Sequence, residues 1–246
     1  MTNNKSSEPA VAFVSLGPGD PELITLKALK IFQQADYIFY PSTIINDTIA
    51  SRAENLLKSW NLNAATFRPF HLPMSKDRKK ALNVYDTVYK EISTLWTSGK
   101  MEGKYPNIVI AVEGDCSIFA SIHYILDRCK ENGIPTISVP GITSFLAASS
   151  LAQLHLVKLE ERLLIHPGLV SGEMILDNCK AGTSQVIMKL SQSAQEVKKC
   201  LEKYPELHVH YFEHVGTERA FHTTDKVEII KRQFPYFSLM IVLVDD

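Results

Sequence analysis

The sequence lacks an excess of charge of either sign. Its 246 residues include 26 Lys and Arg against 27 Asp and Glu, which leaves a formal net charge of −1. No overall field therefore attracts nucleic acid or an anionic lipid surface, so we expect neither as a partner. Any site for an anion must come from a local cluster of cations.

Long apolar runs are also absent. The longest strongly apolar run, residues 239–244, is far shorter than the roughly 20 residues that a transmembrane helix needs. The first ten residues are polar, and the apolar stretch behind them continues into Gly-Pro-Gly-Asp without a small-residue cleavage site. We therefore expect a cytoplasmic protein without a secretory signal.

Cysteine is scarce, and several catalytic motifs are missing. The four cysteines form neither a Cys-x-x-Cys pair nor the disulfide framework of a small secreted domain, so we expect reduced thiols, mostly in the core. Without a Gly-x-Ser-x-Gly elbow or a His-Glu-x-x-His motif, the sequence does not indicate nucleophilic or zinc hydrolysis. His208 and His210 would share one face of a strand, but no convincing third ligand accompanies them, so we expect no metal site.

Apolar segments of strand length alternate with helical patterns along the chain. Continuous aliphatic strands that alternate with helices indicate a mostly parallel sheet covered on both faces. The last third of the chain ends with apolar runs at 220–223 and 237–244 around a helix, which indicates antiparallel pairing. The runs that predict strands in the first part are residues 11–16, 37–40, 65–70, 108–112 and 136–139.

The charged stretch at residues 158–162 is the best candidate for a domain boundary. We predict an N-terminal α/β domain at residues 1–157 with a mostly parallel sheet. A C-terminal α/β domain with a mixed sheet would follow at residues 158–246. Helices are expected at about 49–60 and 117–132, among other segments.

Three glycine-containing turns follow predicted parallel strands, at residues 17–20, 113–115 and 140–144. Ligands of open parallel sheets gather at this end of the strands, and glycine lets a ligand approach the backbone closely. Asp20 and Asp115 could accept hydrogen bonds from ribose hydroxyls or an amino group. Alternatively, each turn only connects a strand to a helix, with Asp as the N-cap. Three such turns in one domain favour a ligand site.

The combination of these turns resembles the tetrapyrrole methylase family. The opening segment 14–42, VSLGPGDPELITLKALKIFQQADYIFYPS, is similar to the family's first signature. Residues 112–115 resemble its Gly-Asp-Pro loop, 139–144 its Pro-Gly-x-Ser/Thr-Ser loop, and 186–189 a strand of its second domain. The resemblance extends over residues 11–244. It implies methyl transfer from S-adenosylmethionine to a tetrapyrrole, an active cleft between two α/β domains, and a homodimer.

Two departures from the family pattern stand in the second loop. Cys116 occupies the place of the usual proline, so the turn is expected to be looser. Phe119 occupies the place of a usual tyrosine, so the hydroxyl of that tyrosine is missing. Because the family's cofactor contacts in this loop are largely made by the backbone, the resemblance still implies cofactor binding.

The resemblance also implies site residues and a substrate. Three segments, 40–42, 188–189 and 235–238, resemble the branch that methylates precorrin-2 at carbon 20; cobalt-loaded precorrin-2 and uroporphyrinogen III are the alternatives, as is a noncatalytic nucleotide-binding module. The cofactor positions are Pro18, Glu113, Gly114, Asp115, Ile118, Thr143, Ser144, Lys189 and Val215. Because the substrate carries several carboxylates, the candidate substrate contacts include cations, and they are Tyr40, Arg52, Arg68, His71 and His166. For these the alternative is an ordinary surface role. No residue is assigned as a catalytic acid or base.

Overall fold

The computed structural model describes residues 10–45, 48–60, 62, 65–73 and 78–244. The chain divides into two compact units between Thr143 and Ser144. The boundary predicted at 157/158 lies beyond this junction, with a short helix between the two positions. Within the described ranges, no helix has both the length and the apolar character needed to cross a membrane.

The first unit alternates strands and helices. Its strands are β1 (Val11–Ser15), β2 (Tyr37–Ile45), β3 (Thr48–Ala50), β4 (Thr66–Leu72), β5 (Ile108–Val112) and β6 (Thr136–Val139). Its helices are α1 (Leu26–Gln33), α2 (Arg52–Ser59), α3 (Arg78–Glu102) and α4 (His123–Glu131), with a 3-10 turn at Pro21–Leu23.

Five parallel strands form the sheet of this unit, in the order β4-β2-β5-β1-β6, and β3 pairs antiparallel with the end of β2. β1 and β5 are buried along their whole length because hydrophobic side chains pack on both faces of the sheet. Phe13 and Ile110 belong to the core on one face, and Val14 packs with Phe32 on the other. Because these strands are parallel, the carboxyl ends of β1, β5 and β6 lie at the same end of the sheet, which is called the sheet edge for short.

The second unit has a mixed sheet in the order β10-β9-β11-β8-β7. Only β7 and β8 pair in parallel, and every other neighbouring pair of that sheet is antiparallel. The predicted fold class, a parallel sheet followed by a mixed one, is therefore confirmed. The elements are α5 (Ser144–Leu151), β7 (Arg162–His166), α6 (Gly172–Lys180), β8 (Thr183–Met188), α7 (Ala194–Lys203), β9 (His208–Glu213), β10 (Phe221–Thr223), α8 (Lys226–Lys231) and β11 (Ser238–Leu243).

Three predicted elements have other bounds in the structure. The helix predicted at about 49–60 is confined to α2 (Arg52–Ser59), because Thr48–Ala50 pairs with the end of β2 as β3. The strand predicted to stop before Pro41 continues to Ile45, because it pairs with β4 as far as Thr43 and with β3 as far as Ile45. On its other side, β5 pairs with β2 only as far as Phe39. A residue without an N–H is tolerated beyond that point, where one side of the strand has no partner. The helix predicted from residue 117 begins only at His123, because the preceding residues form part of a loop network at the sheet edge.

Candidate active site

Two of the three predicted loops are joined directly to each other by backbone hydrogen bonds. The N–H of Gly17 donates to the carbonyl of Gly114 at 3.1 Å, and the N–H of Gly114 donates back to Gly17 at 2.9 Å. Both glycines have positive φ angles, 80° and 72°. A side chain would be strained in this conformation, so glycine lets both loops turn sharply where they meet.

The third loop approaches so closely that only glycine fits. A Cβ atom on Gly141 would lie 2.5 Å from Ser15 Cβ and 2.8 Å from the carbonyl oxygen of Gly114. Gly141 is therefore packed against the end of β1 and the second loop at once. From the sequence, we expected glycine in this loop to let a ligand approach the backbone. In the structure, Gly141 lets the third loop pack against β1 and the second loop.

Asp115 holds the second and third loops together. One carboxylate oxygen accepts the N–H of Ser117 at 2.8 Å and also its hydroxyl, and the other accepts the N–H of Gly141 at 2.7 Å. Burial of this carboxyl opposes its ionisation, but the three hydrogen bonds outweigh burial and lower its pKa. With both oxygens engaged by the protein, Asp115 organises the loops.

Thr143, at the end of the third loop, has an unused hydroxyl. Its Oγ1 is the buried side-chain oxygen or nitrogen that lacks a hydrogen-bond partner within the described part of the chain. Such a group costs free energy unless a ligand or water satisfies it. The polar edge next to Asp115 and Gly141 therefore has a donor and acceptor available for a ligand.

The other predicted residues of the first unit's loops have different environments. Pro18 is buried and Ile118 half-buried, whereas Glu113 exposes surface to solvent. Protein nevertheless surrounds the Glu113 carboxyl group, and this crowding raises its pKa against the opposing effects of Arg52 and the N–H of Ala53. Asp20 caps the 3-10 turn by accepting the N–H of Glu22 at 2.8 Å. This is the N-cap role that the sequence offered as the alternative to a ligand contact.

Two candidate substrate contacts lie at the first loop and beside α2. Arg52 Nη2 donates to the carbonyl of Pro18 at 3.0 Å, so its guanidinium lies against the first loop. Tyr40 is buried, and its hydroxyl bonds to Glu54; burial and the Glu54 carboxylate raise the pKa of this phenol. Both side chains are engaged by the protein itself.

Arg68 and His71 lie on β4, at the outer edge of the parallel sheet. Arg68 forms an ion pair with Glu91 of α3 at 3.2 Å and lies over the ring of Tyr37. His71 Nδ1 is 2.6 Å from Ser42 Oγ. Arg68 is the third residue of its strand and thus far from the carboxyl end, whereas His71 is near it.

In the second unit, Lys189 and Val215 lie at one edge of the mixed sheet. β7, β8 and β9 run in the same direction, and Lys189 directly follows β8 while Val215 lies in the turn after β9. Lys189 has a left-handed φ of 50°, and Val215 is buried. Ser144 is the first residue of α5.

His166 is a core residue of the second unit. It is 5% exposed, and its Nε2 is 3.1 Å from the side-chain oxygen of Gln185, which also accepts from Asn178. Gln185 is itself fully buried. This environment favours the structural alternative over the predicted contact with substrate carboxylates.

Sequence reasoning missed two serines of the loop network. Ser15 Oγ accepts the N–H of Cys116 at 2.9 Å, and Ser117 provides two of the hydrogen bonds to Asp115. Ser15 had a signal, since it is a buried polar residue at the end of an aliphatic strand. Ser117 had none beyond its place after Asp115.

Comparison with known proteins identifies the family of the chain. Residues 10–229 match the family described as Tetrapyrrole (Corrin/Porphyrin) Methylases. A precorrin-2 C(20)-methyltransferase from Sinorhizobium sp is 26% identical over 234 residues, which is 93% of each chain. A probable cobalt-precorrin-2 C(20)-methyltransferase from Methanocaldococcus jannaschii is 27% identical over 154 residues, 63% of this chain and 62% of that one.

A solved structure shares the fold. The uroporphyrin-III C-methyltransferase from Thermus thermophilus, complexed with S-adenosylhomocysteine, superposes with a TM-score of 0.62 at 19% identity over 95% of this chain and 97% of that one. The chain belongs to the tetrapyrrole methylase family. It is accordingly an S-adenosylmethionine-dependent methyltransferase.

The Asp115 network predicts an acid-dependent loss of stability. Because the pKa of Asp115 is lowered by folding, its ionised form stabilises the protein above the ordinary carboxyl pKa, about 3.9, and this contribution is lost as pH falls through the lower native value. At pH 7 we expect Asp115→Asn to lower the free energy of unfolding by about 1–3 kcal/mol, since an amide group presents a donor to a donor. Urea unfolding at several pH values measures this difference.

The control is Asp20→Asn, because asparagine caps as well as aspartate. We expect its stability to match that of the wild type at pH 7. A gap between Asp115→Asn and the wild type that does not narrow below about pH 4 would contradict the role of the ionised carboxylate.

Gly141→Ala is expected to force the loops apart. The added Cβ would need space held by Ser15 and Gly114, so we expect a loss of about 1–3 kcal/mol in unfolding free energy and weaker binding of S-adenosylhomocysteine. Gly103→Ala is the control, since its Cβ meets open space and only its φ of +68° is unfavourable. Chemical unfolding and calorimetry measure the two effects. Equal behaviour of the two variants would show that crowding at Gly141 is unimportant.

Proposed function

We propose that the enzyme transfers a methyl group from S-adenosylmethionine to carbon 20 of precorrin-2, which gives precorrin-3A in cobalamin biosynthesis. The observation that carries the donor site is the buried, unpartnered hydroxyl of Thr143 beside the joined loops of the parallel sheet. The full-length similarity to a precorrin-2 enzyme supports the choice of acceptor. The segments 40–42, 188–189 and 235–238 support the same branch.

The chemistry of this reaction asks little of the protein beyond binding and orientation. S-adenosylmethionine supplies an electrophilic methyl group on a sulfonium. The chain must hold donor and acceptor at a near-attack distance of roughly 3–3.5 Å and keep water away. Loops joined by Asp115 and by the Gly17–Gly114 pair suit that task, because hydrogen bonds between them fix their relative positions.

Side chains and backbone of the third loop provide the polar contacts for the donor. Thr143 Oγ1 is free to donate or accept, and Ser144 begins α5, where backbone N–H groups lack helical partners. We assign Pro18, Gly114 and Ile118 as further donor contacts, mainly through their backbones. Lys189 and Val215 belong to the same proposal from the second unit.

Cobalt-loaded precorrin-2 is the second candidate acceptor. The similarity to the Methanocaldococcus jannaschii relative favours it, since that protein's name specifies the cobalt form. The metal of such a substrate would be held by its macrocycle. The cytoplasmic location expected from the sequence and the homodimer that the resemblance implies stay predictions.

Thr143→Val tests the donor site without removing volume. Valine replaces the unpartnered hydroxyl with a methyl group, so we expect the free enzyme to be as stable as the wild type or more so. Binding of S-adenosylhomocysteine should weaken about tenfold, which corresponds to one hydrogen bond of about 1.4 kcal/mol. Calorimetry measures the affinity, and Thr143→Ser, which keeps the hydroxyl, is the control. Unchanged affinity in Thr143→Val would exclude contact between this hydroxyl and the ligand.

The acceptor is identified by a direct assay. The enzyme is incubated with S-adenosylmethionine carrying a ¹³C methyl group and, in parallel, with precorrin-2, cobalt-precorrin-2 and uroporphyrinogen III. We expect one added methyl on precorrin-2, seen by mass, with its NMR signal at carbon 20. Faster turnover of the cobalt form would favour the second candidate, and methylation of uroporphyrinogen III alone would overturn the proposal. Ligand binding without turnover of any tetrapyrrole would favour a noncatalytic binding module.

A further inference from the structure

We propose that Arg52 is a positioning residue for the donor-binding loops and not a receptor for substrate carboxylates. This inference rests on the proposed function, because it assumes that the loops after β1 and β5 bind the methyl donor. It reverses the expectation for Arg52 that the resemblance suggests. The evidence is the set of contacts made by the first turn of α2.

The turn is anchored to β2 by its N-cap. Ser51 Oγ donates to the carbonyl of Pro41 at 2.7 Å and accepts the N–H of Glu54 at 3.0 Å. Glu54 in turn accepts from the buried hydroxyl of Tyr40. The start of α2 is therefore fixed relative to the sheet by two residues, on either side of Arg52 in the sequence.

From this fixed start, Arg52 and Ala53 reach the first two ligand loops. Arg52 Nη2 donates to the carbonyl of Pro18 in the loop after β1, at 3.0 Å. The Glu113 carboxylate, in the loop after β5, accepts the N–H of Ala53 and interacts with the charge of Arg52. The two loops are those that Gly17 and Gly114 already join.

Arg52 thus has partners inside the protein, the Pro18 carbonyl through a hydrogen bond and the Glu113 carboxyl group through its charge. A substrate carboxylate that binds this guanidinium would compete with its interactions with Pro18 and Glu113. That hydrogen bond has a charged donor, and bonds of this kind are stronger than neutral ones. The side chain is therefore suited to hold the Pro18 carbonyl and the Glu113 carboxylate in fixed places, where they shape the edge at which the donor binds.

The test separates donor affinity from substrate affinity. Arg52→Gln removes the charge, Arg52→Lys keeps it with a single-point donor, and Arg128→Gln is a charge-matched control, since Arg128 pairs with Asp86 of α3. Calorimetry gives the Kd of S-adenosylhomocysteine, and initial rates at saturating S-adenosylmethionine give KM for precorrin-2. Thermal unfolding of each free variant monitors folding.

We expect Arg52→Gln to raise the Kd of S-adenosylhomocysteine about tenfold and Arg52→Lys to recover part of this loss. KM for precorrin-2 should stay within about twofold of the wild type in both variants, as should every parameter of Arg128→Gln. In the double variant Arg52→Gln, Glu113→Gln, the fold-increase in the Kd of S-adenosylhomocysteine should be smaller than the product of the fold-increases in the two single variants. The reason is that the two residues interact.

Each other outcome has a distinct meaning. A higher KM for precorrin-2 with unchanged Kd for S-adenosylhomocysteine would overturn the inference and restore Arg52 as a substrate contact. Unchanged values in Arg52→Gln would overturn it too. If Arg52→Gln does not fold, Arg52→Lys decides between the same two patterns. Failure of the wild-type enzyme to bind S-adenosylhomocysteine would instead overturn the proposed donor site itself.

Discussion

The whole arrangement of the first unit's edge depends on how closely three loops can approach one another. Gly141 lies against Ser15 and the carbonyl of Gly114 with no room for a Cβ, and Asp115 accepts its N–H. The contact works only because the carboxylate satisfies donors on both sides of it, so the cost of burying a charge is offset by charge-assisted hydrogen bonds. Sterics and electrostatics here select the same geometry.

Because the loops contact one another, their glycines have a role other than ligand access. Glycine after a parallel strand is usually discussed for the access that it gives to a ligand. In this chain Gly17, Gly114 and Gly141 are used first for contacts between loops, and the ligand edge is what those contacts leave. Next to these contacts, Thr143 Oγ1 is a buried hydroxyl that has no hydrogen-bond partner among the described residues.

The sequence was sufficient for the architecture because hydrophobic periodicity is local. Aliphatic runs such as Ile108–Val112 specify strands buried on both faces, and those strands require a parallel sheet with helices on either side. The roles of polar residues were less accessible, since they depend on partners distant in sequence. Arg52 meets Pro18 and His166 meets Gln185 only after folding, and no spacing rule indicates either pair.

Cys116, which stands where the resemblance leads us to expect a proline, illustrates why such partners matter. From the sequence, a loop without that proline is expected to be looser. In the structure the N–H of Cys116 donates to Ser15 Oγ at 2.9 Å, a bond that proline, which has no N–H, could not make. Ser15 is buried at the end of β1 and has little freedom to move. The restraint that a fixed φ would have supplied is thus replaced by a hydrogen bond to the neighbouring strand. The same serine limits the space beside Gly141, so the substituted position and the close loop contact form one unit.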